Sequence, residues 1–252
     1  EGRLRASEAA HRLLFESNPS PMWVYDVETL RIVRVNDAAV AAYGYARDEL
    51  KRMTVADLRP PEDRAAFLAH VREPVTSSVP TEWRHVRKDG TVFPVRILRS
   101  DIDFLGRAAR LVLIEDLTER RRAEEATRTL VRAVEQSPVS IVVTDRRGAI
   151  EYVNPHFCRA TGYEAHEALG SNPRILKSGR TPPEVYAELW RTVLAGRTWR
   201  GELVNRRKDG TEFAELATIA PVHDPKGAIT HFVAVKEDLT DRRAMEARAV
   251  SA

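Results

Sequence analysis

The sequence is poor in cysteine and has no long apolar run. Its only cysteine, Cys158, excludes an internal disulfide and any metal site built from several cysteines, which fits a reducing compartment. No apolar run approaches the roughly 18 residues of a membrane-spanning helix, and the N-terminus has no signal-peptide core. We therefore expect a cytoplasmic protein without membrane insertion.

The motifs of common enzyme classes are also missing. There is no G-x-x-x-x-G-K loop, no G-x-S-x-G elbow and no His-Glu-x-x-His pair. The net charge is only +3, because 40 basic residues are interspersed with 37 acidic ones. A nucleic-acid site would need Arg120-Arg121-Arg122 and Arg206-Arg207-Lys208 to share a face, and the acids around them favour solvated surface instead. We expect neither catalysis nor nucleic-acid binding.

The chain repeats itself with a period of about 120 residues. Four motifs of the first half recur in the second half in the same order: Val35-Asn36 and Val153-Asn154, Gly44-Tyr45 and Gly162-Tyr163, Arg87-Lys88-Asp89-Gly90 and Arg207-Lys208-Asp209-Gly210, and Glu115-Asp116-Leu117-Thr118 and Glu237-Asp238-Leu239-Thr240. A unit of this length is a complete domain, since solenoid repeats are roughly 20 to 50 residues long. The repeat predicts two domains of one fold.

Each unit reads as two short strands, several short helices and three longer strands. In the second unit the pattern predicts strands at 140–144, 149–153, 199–206, 212–222 and 229–236 and a helix at 183–194. Turns such as Asp209-Gly210 join consecutive strands as hairpins, which implies antiparallel pairing. The predicted fold class is α+β, with an antiparallel sheet and helices packed on one face.

In this order, the repeated motifs resemble the PAS family in its S-box form, and the resemblance covers nearly the whole chain twice. It implies a five-stranded sheet in each unit, with a ligand or signal cavity between the sheet and its helices. PAS domains usually lie upstream of a histidine kinase, a diguanylate cyclase or a chemoreceptor. The chain therefore resembles the sensory part of a longer protein whose C-terminal output domain is missing.

The segment between the units is predicted to be an amphipathic signalling helix. Residues 118–135 contain no glycine or proline, and Ala123, Ala126, Leu130 and Val134 recur at spacings of three and four. Similar helices are expected at residues 4–15 and 240–250. The stripe favours a parallel homodimer joined by a coiled coil, and the alternative is a surface helix folded back on its own domain. The expected organisation is a linker helix (1–16), a first PAS domain (17–118), a signalling helix (119–136), a second PAS domain (137–240) and a linker helix (241–252).

The second domain resembles the flavin-binding redox PAS domain of NifL-type sensors and, more distantly, the light-sensing LOV domains. The resemblance implies FAD or FMN in this domain and no cofactor in the first. It places Asn172, Arg174 and Lys177 near the ribityl and phosphate end of a flavin. Asn205 and Glu215 would meet the polar edge of the ring, and Trp190 and Trp199 would wall it.

Other interpretations remain open for these residues. Asn172 can be a helix-capping residue beside a solvent-facing Arg174, and tryptophans at such positions often belong to the core. A cofactor-free PAS pair that serves dimerisation and signal transmission is the alternative function.

The resemblance also has two departures. Pro173 stands where LOV domains carry the reactive cysteine, and Lys236 stands where they carry a glutamine on the last strand. Cys158 lies elsewhere in the sequence and is expected to be a small buried residue. No thiol adduct is therefore expected, and redox sensing is favoured over light sensing.

Haem is the alternative cofactor for the first domain. Oxygen-sensing PAS domains hold haem iron through a histidine, but that place falls at Phe67, and His70 is one turn further along. The first cavity is expected to contain Trp23, Tyr25 and Trp83 as core residues.

Overall fold

The computed structural model describes residues 13–71 and 80–240, which form two compact units that divide between Glu125 and Ala126. Most of the two helices predicted at 4–15 and 240–250 lies outside the described residues.

Among the described residues, the first unit contains two short strands, three helices and three longer strands. In chain order these are β1 (Met22–Asp26), β2 (Ile32–Val35), α1 (Asp37–Tyr43), α2 (Arg47–Arg52), α3 (Pro61–His70), β3 (Thr81–Val86), β4 (Val92–Phe104) and β5 (Arg107–Asp116). The sheet order is β2-β1-β5-β4-β3, and each neighbouring pair is antiparallel.

The second unit repeats this arrangement. After helix α4 (Thr118–Glu135) come β6 (Ser140–Asp145), β7 (Ile150–Val153), α5 (Pro155–Thr161), α6 (Ala165–Ala168), a short 3-10 helix (Pro173–Leu176), α7 (Pro183–Leu194), β8 (Trp199–Arg206), β9 (Glu212–His223) and β10 (Ile229–Asp238). The sheet order β7-β6-β10-β9-β8 is that of the first unit. The predicted α+β fold class, with two five-stranded antiparallel sheets, is confirmed.

The two sheets also share their register, which fixes the equivalent positions. His85 pairs with Phe93 in the first unit as Asn205 pairs with Phe213 in the second. Val95 pairs with Asp116 as Glu215 pairs with Asp238. Equivalent residues therefore differ by 120 along β3–β4 and β8–β9, and by 122 along β5 and β10.

A fully buried asparagine closes the start of each unit. The Asn154 side chain caps α5 by accepting from the Phe157 amide, and it also accepts from the amide of Ile141. Its Nδ2 donates to the carbonyl groups of Val134 and Val139. Asn36 does the same work in the first unit, where Oδ1 accepts from the Met22 and Ala39 amides. This side chain joins a helix end, an incoming chain segment and the first strand because an amide can donate and accept at once.

Helix α4 spans Thr118–Glu135, as predicted, and none of its residues is buried. Leu130 and Val131 are 68% and 50% exposed. Ion pairs between Arg120 and Glu124 and between Arg122 and Glu119 lie along its surface. Among the described residues, the apolar stripe is therefore left largely exposed.

An aspartate ends the last strand of each unit and orders the turn after it. Asp116 Oδ1 accepts from the Thr118 amide at 2.8 Å, and its Oδ2 accepts from Arg87. Asp238 makes the equivalent bonds to the Thr240 amide and to Arg207. The repeated Arg-Lys-Asp-Gly hairpin and the Asp-Leu-Thr motif are thus held together by one carboxylate in each unit.

The described helices include none that is long and apolar enough to cross a membrane. Nor do the described residues contain a cluster of three or more His, Cys, Asp or Glu side chains that could hold a metal ion.

Replacing Asn154 with Ala should lower the free energy of unfolding of the second unit by roughly 2–4 kcal/mol, because four backbone groups lose their partner. Denaturant unfolding of the whole chain measures this loss. The control is Asn18→Ala, which removes one local bond to the Ser20 amide and should cost less than about 1 kcal/mol. Equal, small effects of the two substitutions would contradict the role assigned to Asn154.

Candidate functional site

Three polar side chains share the inner face at one end of the second sheet. Asn205 on β8, Glu215 on β9 and Lys236 on β10 are only 4%, 2% and 5% exposed. Residues two positions away on the same strands, such as Leu203 and Ala234, are also buried, because side chains alternate between the two faces of a strand. The sheet therefore turns three polar groups toward the helices.

These side chains form one hydrogen-bonded group, the Asn–Glu–Lys cluster (Asn205, Glu215 and Lys236). Asn205 Nδ2 donates to Glu215 Oε1 at 2.7 Å, and Lys236 Nζ donates to the same oxygen at 2.7 Å. No fully buried polar atom of the cluster lacks a partner. An ion pair this deep carries a desolvation penalty that only such bonds can offset.

A cavity of about 360 Å³ lies between this face of the sheet and the helices. Its walls are mostly apolar. The described residues that line it are Val142, Thr144, Gly148, Asn172, Pro173, Arg174, Lys177, Tyr186, Leu189, Trp190, Val193, Leu203, Asn205, Ile219, Phe232, Ala234 and Lys236. Five of the seven predicted site residues belong to this set, and Glu215 is held against two of its members.

Asn172 lines the cavity and is also a capping residue. Its Oδ1 accepts from the Arg174 amide at the start of the 3-10 helix, and its Nδ2 donates to the Gly148 carbonyl at 3.0 Å. Gly148 has a φ of 86°, and a Cβ there would lie 2.6 Å from Asn172 Nδ2. A glycine in the β6–β7 turn is thus what lets Asn172 bridge the turn and the helix.

Two cations border the same cavity with exposed side chains. Arg174 Nε donates to Asn172 Oδ1 at 3.2 Å. The Lys177 backbone forms an isolated bridge with Asn205, and its Nζ lies 4.7 Å from the centre of the Tyr186 ring. The backbone bridge fixes Lys177 beside the Asn–Glu–Lys cluster, while its ammonium group stays in solvent.

The two predicted tryptophan walls have different surroundings. Trp190 lines the cavity, is 41% exposed and meets the Phe232 ring edge-on at 6.1 Å. Trp199 is 4% exposed and does not line the cavity; it packs with Leu189 and Val193 in the core. Its ring lies directly over Gly201, where a Cβ would clash. The structure thus has Trp199 in the core behind cavity-lining residues such as Leu203 and Phe232, and its contact with a flavin stays a prediction.

The chemistry of the cavity is further limited by two residues outside the predicted set. Pro173 lines the cavity, whereas Cys158 is half-buried, is not among the residues that line it, and packs against the core cluster that includes Phe157. Burial raises the pKa of the Cys158 thiol.

Lys236, noted in the sequence only as a departure from LOV domains, is part of the cluster. The sequence did contain a signal for this position: Lys236 is two residues after Ala234 and four after Phe232 on the last strand, so all three share the inner face of the sheet.

The first unit also encloses a cavity, of about 380 Å³. Trp23, Tyr25 and Trp83 line it, as expected, together with Phe67 and His70. The positions equivalent to the Asn–Glu–Lys cluster are occupied by His85, Val95 and Ile114. This cavity therefore has no equivalent of the Asn–Glu–Lys cluster.

Comparisons with known proteins agree with the repeated architecture. A family model described as a PAS domain matches residues 19–119, and a model described as a PAS fold matches residues 128–239.

Curated relatives match about half of the chain. The nitrogen fixation regulatory protein of Klebsiella oxytoca is 44% identical over 115 residues, which are 46% of this chain and 23% of that protein. A blue-light-activated histidine kinase of Rhizobium johnstonii is 35% identical over 118 residues, 46% of this chain and 34% of that protein. The matched regions thus span about a quarter to a third of these relatives.

Among solved structures, the light state of the Aureochrome1 LOV photoreceptor is 30% identical, with a TM-score of 0.40, and covers 46% of this chain and 93% of its own. An RNA-binding light-oxygen-voltage receptor is 18% identical, with a TM-score of 0.44, over 92% of this chain and 99% of its own.

The two family matches follow one another along the chain and take in both five-stranded sheets. The chain belongs to the PAS family and carries two PAS domains in tandem.

Proposed function

We propose that the chain is the sensory input and signal-relay module of a larger signalling protein, such as a histidine kinase or diguanylate cyclase. In this proposal the second PAS domain senses redox state or oxygen through a noncovalently bound FAD or FMN. The observation that carries it is the buried Asn–Glu–Lys cluster at one end of an otherwise apolar cavity.

The residues present fit the chemistry of a flavin. A flat ring needs apolar walls, which Leu203, Ile219 and Phe232 supply. The polar edge of the ring needs groups that donate and accept hydrogen bonds, and Asn205 has both in its amide. The phosphate end needs cations near solvent, where Arg174 and Lys177 lie exposed. The relatives named as nitrogen fixation regulatory proteins and blue-light receptors support the same assignment.

A bound flavin would supply a redox couple whose charge and protonation change with its oxidation state. Lys236 and Glu215 hold opposite charges beside the cavity, so a change of charge there alters the balance between them. Asn205 then has to redistribute its hydrogen bonds. Glu215 and Lys236 lie on β9 and β10, and β10 ends at Asp238, where the outgoing segment begins. This short path is a spatial argument for coupling to the output.

We also propose that the chain acts as a parallel homodimer through α4. Ala123, Ala126, Leu130 and Val134 lie at coiled-coil spacing, and none of them is buried within a single chain. A second copy offers the same stripe, which makes the surface self-complementary.

The alternative function is a cofactor-free PAS pair that serves dimerisation and signal transmission. One observation favours it: Glu215 Oε1 already accepts from Asn205 and Lys236, so the cluster needs no ligand to complete its bonds.

The purified chain should take up FAD or FMN, and dithionite should bleach the visible bands reversibly. Illumination should not produce the absorption change of a thiol adduct that reverts in the dark. The reason is that Pro173, which lines the cavity, stands where LOV domains carry the reactive cysteine. Absorption spectra before and after each treatment measure both outcomes. A light-induced adduct band would contradict redox sensing, and a protein that takes up neither flavin would contradict the cofactor.

Glu215→Gln and Lys236→Met should shift the flavin reduction potential in opposite directions. Removing the carboxylate charge makes electron uptake easier and raises the potential, whereas removing the ammonium charge lowers it. Each shift should reach about 30 mV, which is tenfold in a two-electron equilibrium. A spectroscopic redox titration measures the potentials, with Lys208→Met as the control, since Lys208 pairs with Glu167 at the surface. Shifts of the same sign, or none, would contradict the placement of the cluster beside the flavin.

Leu130→Asp should weaken self-association by about tenfold or more, because a charge would have to be buried in the α4 seam. Analytical ultracentrifugation at several concentrations measures the dimer dissociation constant. Thr129→Asp adds the same charge about 100° around the helix and should have a smaller effect. A wild-type chain that stays monomeric at tens of micromolar would rule out the dimer.

A further inference from the structure

The cavity of the first PAS domain is lined by two arginines, one of them at a position where the cavity of the second has no cation. It lies between α3 and the inner face of the sheet, and its walls are largely aromatic, with Trp23, Tyr25, Phe67 and Trp83. Two arginines, Arg59 and Arg99, also line it, and no aspartate or glutamate occurs among the described lining residues. The cavity is therefore apolar and aromatic at its walls and positive in charge.

Arg59 is a buried cation that forms no salt bridge among the described residues, although the charge of Asp63 acts on it from a distance. It is 4% exposed, its Nη1 donates to the Val55 carbonyl at 2.7 Å, and its Nε has no hydrogen-bond partner. Its guanidinium carbon lies 3.4 Å from the centre of the Phe67 ring. Burial lowers the pKa of Arg59 to about 10, against the opposing effects of Tyr25, Tyr43 and Asp63, so it stays charged at neutral pH.

Arg99 brings a second cation to the same space. It lies two residues after Ile97 on β4, on the face that lines the cavity. Within the part of the chain that the structure describes, its side chain has no hydrogen bond or ion pair. Arg110, on the neighbouring strand, differs because its Nε donates to Asp101 Oδ1 at 2.6 Å. One arginine of this region is thus paired with an acid, and two face the cavity.

Two like charges in a poorly solvated space repel each other and also bear a desolvation cost. An anion in the cavity would remove both costs at once. A guanidinium group matches a carboxylate well, because its planar donors fit the two carboxylate oxygens. The aromatic walls suit an apolar, flat body, and a volume of about 380 Å³ lies near the lower end of small-molecule sites.

We propose that the first PAS domain binds a small aromatic carboxylate, with Arg59 and Arg99 pairing with its carboxylate group and the aromatic walls enclosing its ring. The site is specific to the first domain, since the position equivalent to Arg99 is Ile219 in the second. It would give the chain a chemical input separate from the redox input.

Calorimetric titration of the whole 252-residue chain with benzoate, phenylacetate and 3-phenylpropionate tests the site. Each acid is compared with its neutral amide and with inorganic phosphate. At least one acid should bind, and its amide and phosphate should bind about tenfold more weakly or not at all, because they lack the charge or the ring. Binding of none of the acids, or equal binding of an acid and its amide, would overturn the proposal. Phosphate binding as tightly as the acids would assign the site to inorganic anions and overturn it too.

Arg59→Met and Arg99→Met should each weaken binding of that acid by about tenfold or more. Arg96→Met is the matched control, because Arg96 lies on the same strand as Arg99 and pairs with Glu82 and Glu115 at the surface. Thermal unfolding without ligand separates binding from folding: Arg59→Met removes a poorly solvated charge together with its one bond to the Val55 carbonyl, so its melting temperature should stay close to that of the wild type. Unchanged affinity in both cavity variants, or a matching loss in Arg96→Met, would overturn the assignment.

Discussion

An ion pair between Glu215 and Lys236, out of reach of solvent, is the constraint on which the second PAS domain depends. Burying two charges costs free energy. This cost is offset because Glu215 Oε1 accepts hydrogen bonds from both Lys236 and Asn205. The three residues come from three adjacent strands. The pair therefore ties the inner face of β8, β9 and β10 to a single electrostatic arrangement, at the point where a ligand in the cavity would touch the sheet.

The two domains share one backbone fold but have different side chains in their cavities. The buried asparagines, the Arg-Lys-Asp-Gly hairpins and the terminal aspartates are the same in both, and they fix the strands and their register. The inner faces differ. The first domain has His85, Val95 and Ile114 where the second has its cluster, and its cavity is lined by Arg59 and Arg99. The two inner faces thus present different side chains on the same backbone arrangement.

Much of the fold could be predicted because its signals are local. Pro183 begins α7, and glycine turns bound the hairpins, so the limits of α7 and β8 agree with the sequence prediction; β9 and β10 extend one and two residues further. The absence of glycine and proline from residues 118–135 likewise gave the limits of α4. Repetition helped as well, since each half of the chain supports the assignment of the other.

The site was harder to predict because it depends on three-dimensional packing. Strand alternation puts Trp199 on the inner face, but its packing against Gly201, Leu189 and Val193 is a tertiary feature that the local sequence does not show. Lys236 looked like a departure from a family pattern, and its partner became evident only when β9 and β10 were side by side. Arg59 lies in the connector before α3, and nothing in the local sequence distinguishes it from a solvated arginine.

The central claim is that the second domain, and not the first, holds the flavin. Ala234 and Val112 are equivalent positions on the last strands, and each lines the cavity of its own domain. The most direct measurement is the flavin content per chain of the reconstituted wild type, Ala234→Phe and Val112→Phe, in which a bulky ring fills one cavity at a time. The expected result is one flavin per chain in the wild type and in Val112→Phe, and almost none in Ala234→Phe. Full flavin content in Ala234→Phe, or its loss in Val112→Phe alone, would contradict the claim.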